Sequence, residues 1–167
     1  MEQRYSRNRL YVSEREQSII KHYKILLGGA GIGSIIAECA LRFGFEQITI
    51  IDGDKVEENN LNRQNYTEND IGRYKAECLA ERLQSINPNA QIDFHTEFLT
   101  PHNIEKLLNG HDVAINALDF KDKTPFVFDV ICKERKIPVL HPYNFGWAGF
   151  VTIADPLGPV SYTHLPN

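Results

Sequence analysis

The chain has 167 residues, and its formal net charge is -4. This length suits one domain, residues 1–167, that buries roughly 70% of the surface of its unfolded chain. The acidic balance argues against a nucleic-acid surface spread over the domain. No apolar run is long enough to cross a bilayer, and the charged N-terminus is unlike a signal peptide. Three cysteines without a CxxC pair predict a cytoplasmic protein without a zinc site.

Helices and strands are predicted to alternate along the chain. Ser13 followed by Glu16 is a capping-box pattern, which predicts a helix over 14–22 and an N-terminal helical arm over 1–22. Hydrophobic periodicity and proline signals predict the other elements. In chain order they are a strand over 23–28, a helix from Gly31, a strand over 47–52, a helix over 75–87, a strand over 91–98, a helix capped by Thr100, a strand over 112–118, a helix capped by Thr124, and strands over 137–141 and 149–154.

This alternation predicts an α/β fold of the Rossmann-like kind, with a mostly parallel sheet and helices on both faces. Ligands of such sheets bind beyond the carboxyl ends of the strands. Residues 156–167 carry three prolines and no periodicity, so they are predicted to form an irregular tail.

A glycine-rich turn follows the first strand, where sheets of this kind hold phosphate. A strict GxGxxG pattern has Ala30 in place of its middle glycine, and a looser register runs from Gly29 to Ser34. Because such a turn brings the backbone close to an anion, it predicts a nucleotide site, against the alternative of a tight turn that binds nothing. The candidate nucleotide-binding residues here are Gly28, Ala30, Gly31 and Gly33.

Asp52 ends the second strand about twenty residues later, the usual place of a carboxylate that accepts from ribose hydroxyls. The alternative is an aspartate that binds only backbone N–H groups. A polar segment over 53–72 follows, and loops of this length are usually functional or disordered. Its Arg63, with Lys75 just beyond, favours chemistry on phosphates over hydride transfer.

The residues from Asp52 to Gln64 read DGDKVEENNLNRQ. They resemble the D-x-D-x-V-x-x-x-N-L-x-R-Q signature of the ThiF/MoeB-like adenylyltransferases, which are enzymes of the ubiquitin-activating type. The resemblance covers nearly the whole chain, although Ala30 departs from the usual glycine turn. It includes Gly72 and Lys75, similar to the family's G-x-x-K, then Asp119, and also Arg4-Tyr5-Ser6-Arg7, similar to R-Y-x-R-Q with Asn8 in place of the glutamine.

This resemblance implies that ATP and Mg²⁺ are used to activate a carboxylate as an acyl-adenylate. It also implies a homodimer, because the family's N-terminal arginine often acts on the nucleotide of the other protomer. The implied catalytic residues are Arg63, Lys75, Arg7 and Asp119, with Asp119 as the metal ligand. The implied nucleotide contacts beyond the glycine turn are Asp52, Asp54, Asn60 and Gln64.

Each catalytic candidate also has a purely structural interpretation. The four alternatives are a solvated Lys75, an ion pair of Arg63 with Glu57 or Glu58, an Asp119 that caps the next helix, and an Arg7 in a disordered terminus.

The cysteines separate this chain from relatives that form thioesters, which use a cysteine beyond the sixth strand and often two CxxC pairs. Cys39, Cys78 and Cys132 fall on predicted helices and are expected to pack in the core. The chain therefore resembles the nucleotide-binding core, either as a piece of a longer protein or as a short member that stops at the adenylate. Residues 141–147, HPYNFGW, suit an extended peptide tail or a plain turn equally well.

Four functions remain open at this point. The first is activation of a C-terminal carboxylate on a ubiquitin-like or sulfur-carrier protein. The second is activation of a carboxylate on a modified tRNA, which the acidic charge does not support. The third is an NAD-dependent oxidoreductase, which leaves Asn60, Arg63, Gln64 and Lys75 without roles. The fourth is a non-catalytic subunit of a heterodimeric activating enzyme, which the joint presence of Arg63, Lys75 and Asp119 disfavours.

Overall fold

The computed structural model describes residues 3–158, and its N-terminal arm consists of a 3₁₀ helix (Gln3–Leu10) and α1 (Glu14–His22). The Ser13 hydroxyl accepts from the Glu16 N–H, and the Glu16 carboxylate accepts from the Ser13 N–H. This confirms the capping box that the sequence predicts.

Strands and helices alternate after the arm, as predicted. The strands are β1 (Lys24–Gly28), β2 (Gln47–Ile51), β3 (Gln91–His95), β4 (Val113–Asn116), β5 (Val139–Asn144) and β6 (Gly149–Ala154). The helices are α2 (Gly33–Phe43), α3 (Lys75–Ile86), α4 (Ile104–Leu108) and α5 (Thr124–Glu134), and two 3₁₀ helices, Glu58–Asn60 and Glu68–Asp70, lie between β2 and α3.

The strands form one sheet in the order β3-β2-β1-β4-β5-β6, in which β1 to β5 are parallel and β6 is antiparallel to β5. The order reverses between β1 and β4, and sheets of this kind open a ligand crevice at such a point. The Rossmann-like fold is therefore confirmed. No helix among residues 3–158 is both long and apolar enough to span a membrane.

The core lies on both faces of the sheet, because alternate residues of a strand point to opposite sides. On one face Leu27 of β1 belongs to a cluster with Leu79 of α3, and this layer also includes α2. On the other face Leu26 belongs to a cluster with Ile104 of α4 and Phe128 of α5. Helices on both faces leave the strand ends as the place for a site.

Two strands and one helix differ from their predicted bounds. β3 ends at His95 rather than at residue 98, because its partner β2 already ends at Ile51, which pairs with His95. β4 ends at Asn116 rather than at residue 118, since β1 ends at its partner Gly28. Thr100 does not cap α4, because Asn103 accepts from the Thr100 N–H and forms a turn before the helix.

Other elements also differ from their predicted bounds. Thr124 is the first residue of α5 rather than its cap, and its N–H donates to the Asp122 carboxylate. The helix predicted from Gly31 begins at Gly33, and the strand predicted over 137–141 spans Val139–Asn144. Of the predicted tail, residues 159–167 lie outside the described part of the chain.

The cysteines divide by exposure. Cys78 and Cys132 are buried, and burial raises their pKa values to about 11 and about 12. Cys39 is exposed, because it lies on the side of α2 away from the buried Ala37 and Leu41. The prediction of core packing is therefore wrong for Cys39.

Candidate functional site

A cleft of about 1190 Å³ opens at the carboxyl ends of the strands, where β1 and β4 are neighbours. The glycine turn and the segment between β2 and α3 form one wall, which we call the turn wall. The chain that follows β4, together with the end of β5, forms the facing wall. Most predicted site residues line this cleft: Gly31, Asp52, Asp54, Asn60, Arg63, Gln64, Lys75 and Asp119.

Gly29 is the residue of the turn that only glycine can occupy, and the sequence analysis did not select it. Its φ is +90°, and a Cβ on it would lie 2.4 Å from the Ala117 carbonyl oxygen. The signal available in the sequence was the looser register that starts at Gly29. A Cβ on Gly31 would meet only the Gln64 side chain, at 3.4 Å, so this part of the turn faces the cleft.

The other predicted turn residues lie beneath the cleft surface. An added Cβ on Gly28 would meet Leu99, and one on Gly33 would meet Leu27. Ala30 is fully buried, and its backbone N–H donates to Asp52. Alanine is tolerated at position 30 because its methyl group packs into the core rather than toward a ligand.

Asp52 fastens the turn to β2. Its Oδ2 accepts from the Ala30 N–H at 2.6 Å, and its Oδ1 accepts from the Asp54 N–H at 2.7 Å. Burial raises the pKa of the Asp52 carboxyl, and the two backbone hydrogen bonds oppose that shift. The backbone contacts of the structural alternative are therefore present, while the side chain still lines the cleft.

The polar segment between β2 and α3 is held by its own hydrogen bonds. Asn60 is buried, its Oδ1 accepts from the Glu57 N–H, and its carbonyl oxygen accepts from the N–H groups of Arg63 and Gln64. The Arg63 guanidinium donates to the Asn59 carbonyl at 2.6 Å. Arg63 is thus held by backbone oxygen, and within residues 3–158 it forms no ion pair with Glu57 or Glu58.

Lys75 is the first residue of α3, and it is buried rather than solvated. Its Nζ lies 3.4 Å from Asp54 Oδ2, and its N–H donates to the Asp54 carbonyl. The Lys75 side chain is 9% exposed, while that of Asp54 is 45% exposed. A buried ammonium group is stabilised by a second anion nearby, so this lysine is well placed for a phosphate.

Asp119 stands on the facing wall with its side chain 74% exposed. Its Oδ2 lies 3.1 Å from the Lys121 Nζ, and this hydrogen bond raises the pKa of Lys121. Asp119 does not cap α5, since Asp122 accepts from the Thr124 N–H. Its carboxylate remains open to the cleft.

Arg7 lies near the amino ends of the strands, at the opposite end of the sheet from the glycine turn. Its neighbour Asn8 donates to the Phe43 carbonyl at the end of α2, and Arg4 donates to the Ile86 carbonyl at the end of α3. Both helices run away from the cleft, so their last residues mark the amino ends of the strands. Within one chain, Arg7 does not line the cleft.

The β5–β6 hairpin extends the facing wall with stacked rings. The Tyr143 ring lies 6.0 Å from that of Phe145 and 6.1 Å from that of Phe150. Phe145, Phe150 and Trp147 are exposed, and residues 139–158 contain no lysine or arginine. The hairpin therefore offers apolar and aromatic contacts without cations.

The cleft is suited to a nucleoside triphosphate. Gln64 Nε2, which is a hydrogen-bond donor, lies 3.4 Å from the place a Cβ on Gly31 would take, beside the open face of the turn. The first N–H groups of a helix have no partner inside it, and α2 begins at this turn. Arg63 and Lys75 add positive charge at the same wall.

Comparison with known proteins agrees with this site. The profile of the ThiF family matches residues 5–165, and the chain therefore belongs to the ThiF family. It is 33% identical over 143 residues to the tRNA threonylcarbamoyladenosine dehydratase of Haemophilus influenzae, covering 84% of this chain and 53% of that relative. It is 30% identical over 163 residues to the adenylyltransferase and sulfurtransferase MOCS3 of Arabidopsis thaliana, covering 95% of this chain and 35% of that relative.

A solved structure shows the same relationship. The crystal structure of the E. coli tRNA N6-threonylcarbamoyladenosine dehydratase, TcdA, in complex with ATP superposes with a TM-score of 0.79 at 33% identity. The match covers 83% of this chain and 58% of that one. The chain thus spans about half the length of the dehydratases it matches.

Proposed function

We propose that this protein is an ATP- and Mg²⁺-dependent adenylyltransferase that activates a carboxylate as an acyl-adenylate. The observation that carries the proposal is the convergence of Arg63, Lys75 and the open face of the glycine turn on one cleft. Membership of the ThiF family supports it.

In the proposed reaction a carboxylate oxygen of the acceptor attacks the α-phosphorus of ATP. The bond from this phosphorus to the oxygen that bridges the α- and β-phosphates breaks, and that oxygen leaves with pyrophosphate. Negative charge then moves onto the phosphate oxygens, where fixed donors stabilise it most effectively. Arg63 supplies a planar donor fork, Lys75 supplies an ammonium group, and the turn supplies backbone N–H groups.

Asp119 and Asp54 have the hard oxygen atoms that suit Mg²⁺. Among residues 3–158 there is no group of three acidic, histidine or cysteine side chains that could hold a metal alone. Magnesium fits this donor set, because it commonly binds through one or two carboxylates together with substrate phosphates. When bound, it would neutralise charge on the phosphates beside Asp119.

For the acceptor we propose the C-terminal carboxylate of a small ubiquitin-like or sulfur-carrier protein. The hairpin beside the cleft supports this choice, since its exposed Phe145 and Trp147 suit an extended peptide and residues 139–158 contain no lysine or arginine to meet a nucleic-acid backbone. A carboxylate on a modified tRNA is the second candidate, favoured by the identity to the two dehydratases.

Exchange of labelled pyrophosphate into ATP tests the reaction and the acceptor together. We expect exchange to rise with a ubiquitin-like partner that ends in a free carboxylate, and not with the same partner carrying a C-terminal amide. Exchange driven by threonylcarbamoyl-modified tRNA alone would transfer the proposal to the second candidate. Absence of exchange with every acceptor, or tighter binding of NAD than of Mg-ATP in titration calorimetry, would refute the activity.

We further propose a homodimer in which Arg7 acts on the nucleotide of the other protomer. Arg7 lies near the amino ends of its own strands, away from the cleft of its own chain. This position supports a role across an interface of two-fold symmetry. Mixing inactive Arg7→Ala protomers with inactive Lys75→Ala protomers should restore activity at one site of each mixed dimer. No recovery despite subunit exchange, or a monomer in light scattering, would reject the shared site.

A further inference from the structure

Three buried polar side chains lie in and behind the facing wall of the cleft, and two of them, Asn116 and His141, are among its lining residues. Asn116 ends β4, Asp129 lies on α5 and His141 lies on β5, and each is at most 5% exposed. The Asn116 side-chain amide donates to Asp129 Oδ1 at 2.9 Å and to the Pro125 carbonyl at 2.9 Å. His141 Nε2 lies 3.0 Å from Asp129 Oδ2. One carboxylate thus connects two strands and a helix.

This network reaches the glycine turn through only two residues. Asn116 Oδ1 accepts from the Leu118 N–H at 3.4 Å, while the Ala117 N–H donates to the Gly28 carbonyl at 2.8 Å. The Ala117 carbonyl is the atom that a Cβ on Gly29 would strike at 2.4 Å. Any movement of Ala117 or Leu118 would therefore change the contacts between this segment and the glycine turn at Gly28 and Gly29.

Stability alone is a weak reason to bury these groups. Replacing both partners of a buried polar contact by apolar groups of the same shape can be nearly neutral or stabilising, whereas a satisfied polar network specifies one geometry. The remainder of this layer is apolar, with Phe128 and Cys132 on the same helix. A positional role explains why a carboxylate stands among them.

We propose that Asn116, Asp129 and His141 are positioning residues that hold the facing wall against the glycine turn in the geometry that binds ATP. This inference rests on the proposed function. Asp129 orients the amide of Asn116, and Asn116 fixes the backbone at Leu118. Asp119 is the next residue, so the position of its backbone beside the cleft is fixed as well. His141 places its Nε2 beside the second oxygen of Asp129, at 3.0 Å.

The test compares ATP binding with stability in matched variants. Misplacing groups near a reacting centre typically costs about 10–100-fold. We expect Asn116→Ala to raise the Kd for Mg-ATP about tenfold in titration calorimetry, with a larger change in KM for ATP than in kcat of pyrophosphate exchange. Cys132→Ala, a buried change on the same helix, should lower the melting temperature and leave the Kd within about twofold.

Substitutions of His141 separate hydrogen bonding from packing. Glutamine keeps a polar side chain that can lie beside Asp129 Oδ2, as the His141 ring does. His141→Gln should therefore bind ATP more tightly than His141→Leu. Should Asn116→Ala not fold, Asn116→Ser keeps a polar group there but is too short to span Asp129 and Leu118, and the same loss of affinity is expected.

Several results would overturn the inference. Unchanged affinity in folded Asn116 and His141 variants would reject positioning, and so would an equal loss of affinity in Cys132→Ala. Failure of the unaltered chain to bind ATP would instead refute the proposed function, and this inference with it.

Discussion

The two walls of the cleft differ in how firmly the chain holds their polar side chains. On the turn wall Asp52, Asn60 and Lys75 are buried, and each has hydrogen-bonding or charged partners. On the facing wall Asp119 and Lys121 are mostly exposed and pair with each other. Fixed donors stabilise a developing charge without the cost of reorganisation. We infer that the turn wall is prepared for the nucleotide, while the exposed Asp119 side chain on the facing wall is left free to meet metal and acceptor.

The largest expected effect comes from removing charge at the turn wall. Arg63→Ala and Lys75→Ala should each lower adenylate formation by about 10² or more, as the loss of one electrostatic donor typically does. Lys75→Ala should also change stability, because it removes a buried group beside Asp54. Pyrophosphate exchange and thermal unfolding measure the two effects.

Arg73→Ala is the matched control for these variants. Arg73 lies two residues before Lys75 but pairs on the surface with Glu81 and Glu77, and it does not line the cleft. The Arg73→Ala variant should therefore leave pyrophosphate exchange unchanged. If Arg63→Ala or Lys75→Ala kept near-normal exchange, that residue would contribute no more to the reaction than Arg73 on the surface.

On the facing wall, Asp119→Ala should lower exchange by about 10² without lowering the melting temperature. The reason is that the side chain is exposed and does not cap α5. Lys121→Ala, which removes the partner of Asp119, should cost much less. The comparison between the walls fails if Asp119→Ala unfolds the protein or retains full exchange at every Mg²⁺ concentration.

A smaller effect is expected at the open face of the turn. Gly31→Ala adds a methyl group whose only close neighbour is Gln64, so folding should persist. The same methyl group occupies the approach of a phosphate, and the Kd for ATP should rise about tenfold. Gly149→Ala has open space around it and a permitted φ, and it should bind ATP normally. Equal affinities for the two variants in calorimetry would place the phosphates elsewhere.

Glu38 of α2 braces the turn wall, because its carboxylate accepts from the side chains of Asn65 in that wall and Arg82 of α3. This contact predicts a pH dependence of stability. Burial alone raises the pKa of Glu38, but hydrogen bonds from Arg82, Asn65 and Arg42 outweigh it and lower the pKa to about 2. Because the folded pKa lies below the unfolded value of 4.5, the contribution is present above pH 4.5. It is lost as the pH falls from 4.5 toward 2.

Glu38→Gln should therefore lower the free energy of unfolding by roughly 2–3 kcal/mol at pH 7 and flatten its slope below pH 4.5. Glu105→Gln breaks an exposed pair with Arg135 and should change little. Denaturant titrations across the pH range distinguish the two. An unchanged slope in Glu38→Gln would show that this carboxylate does not brace the wall.

The smallest effect concerns the thiols. Cys78 and Cys132 should resist iodoacetamide at pH 7.5, because burial raises their pKa values and shields them, whereas Cys39 should react. We expect no reductant-sensitive link to an acceptor on this chain. A non-reducing gel tests this. A band of chain linked to acceptor that disappears with reductant, and is lost in Cys39→Ala or Cys132→Ala, would contradict the prediction.

Local signals predicted much of the fold. The Ser13–Glu16 box located α1, and β6 has the predicted bounds of 149–154. Strand ends were less predictable, because β3 ends where its partner β2 ends rather than where its own apolar residues end. Cys39 shows the same limit, since a helix position alone does not say which side meets the sheet.

The sequence by itself determined the element order, the family signature from Asp52 to Gln64 and the residue types that a phosphate requires, because these depend on neighbours along the chain. Tertiary structure decided which of them meet. It placed Arg7 near the amino ends of the strands, gave Gly29 rather than Ala30 the constrained turn position, and joined Asn116, Asp129 and His141 at the facing wall of the cleft. Those relations depend on how strands and helices pack across long sequence separations, and spacing along the chain does not encode that packing directly.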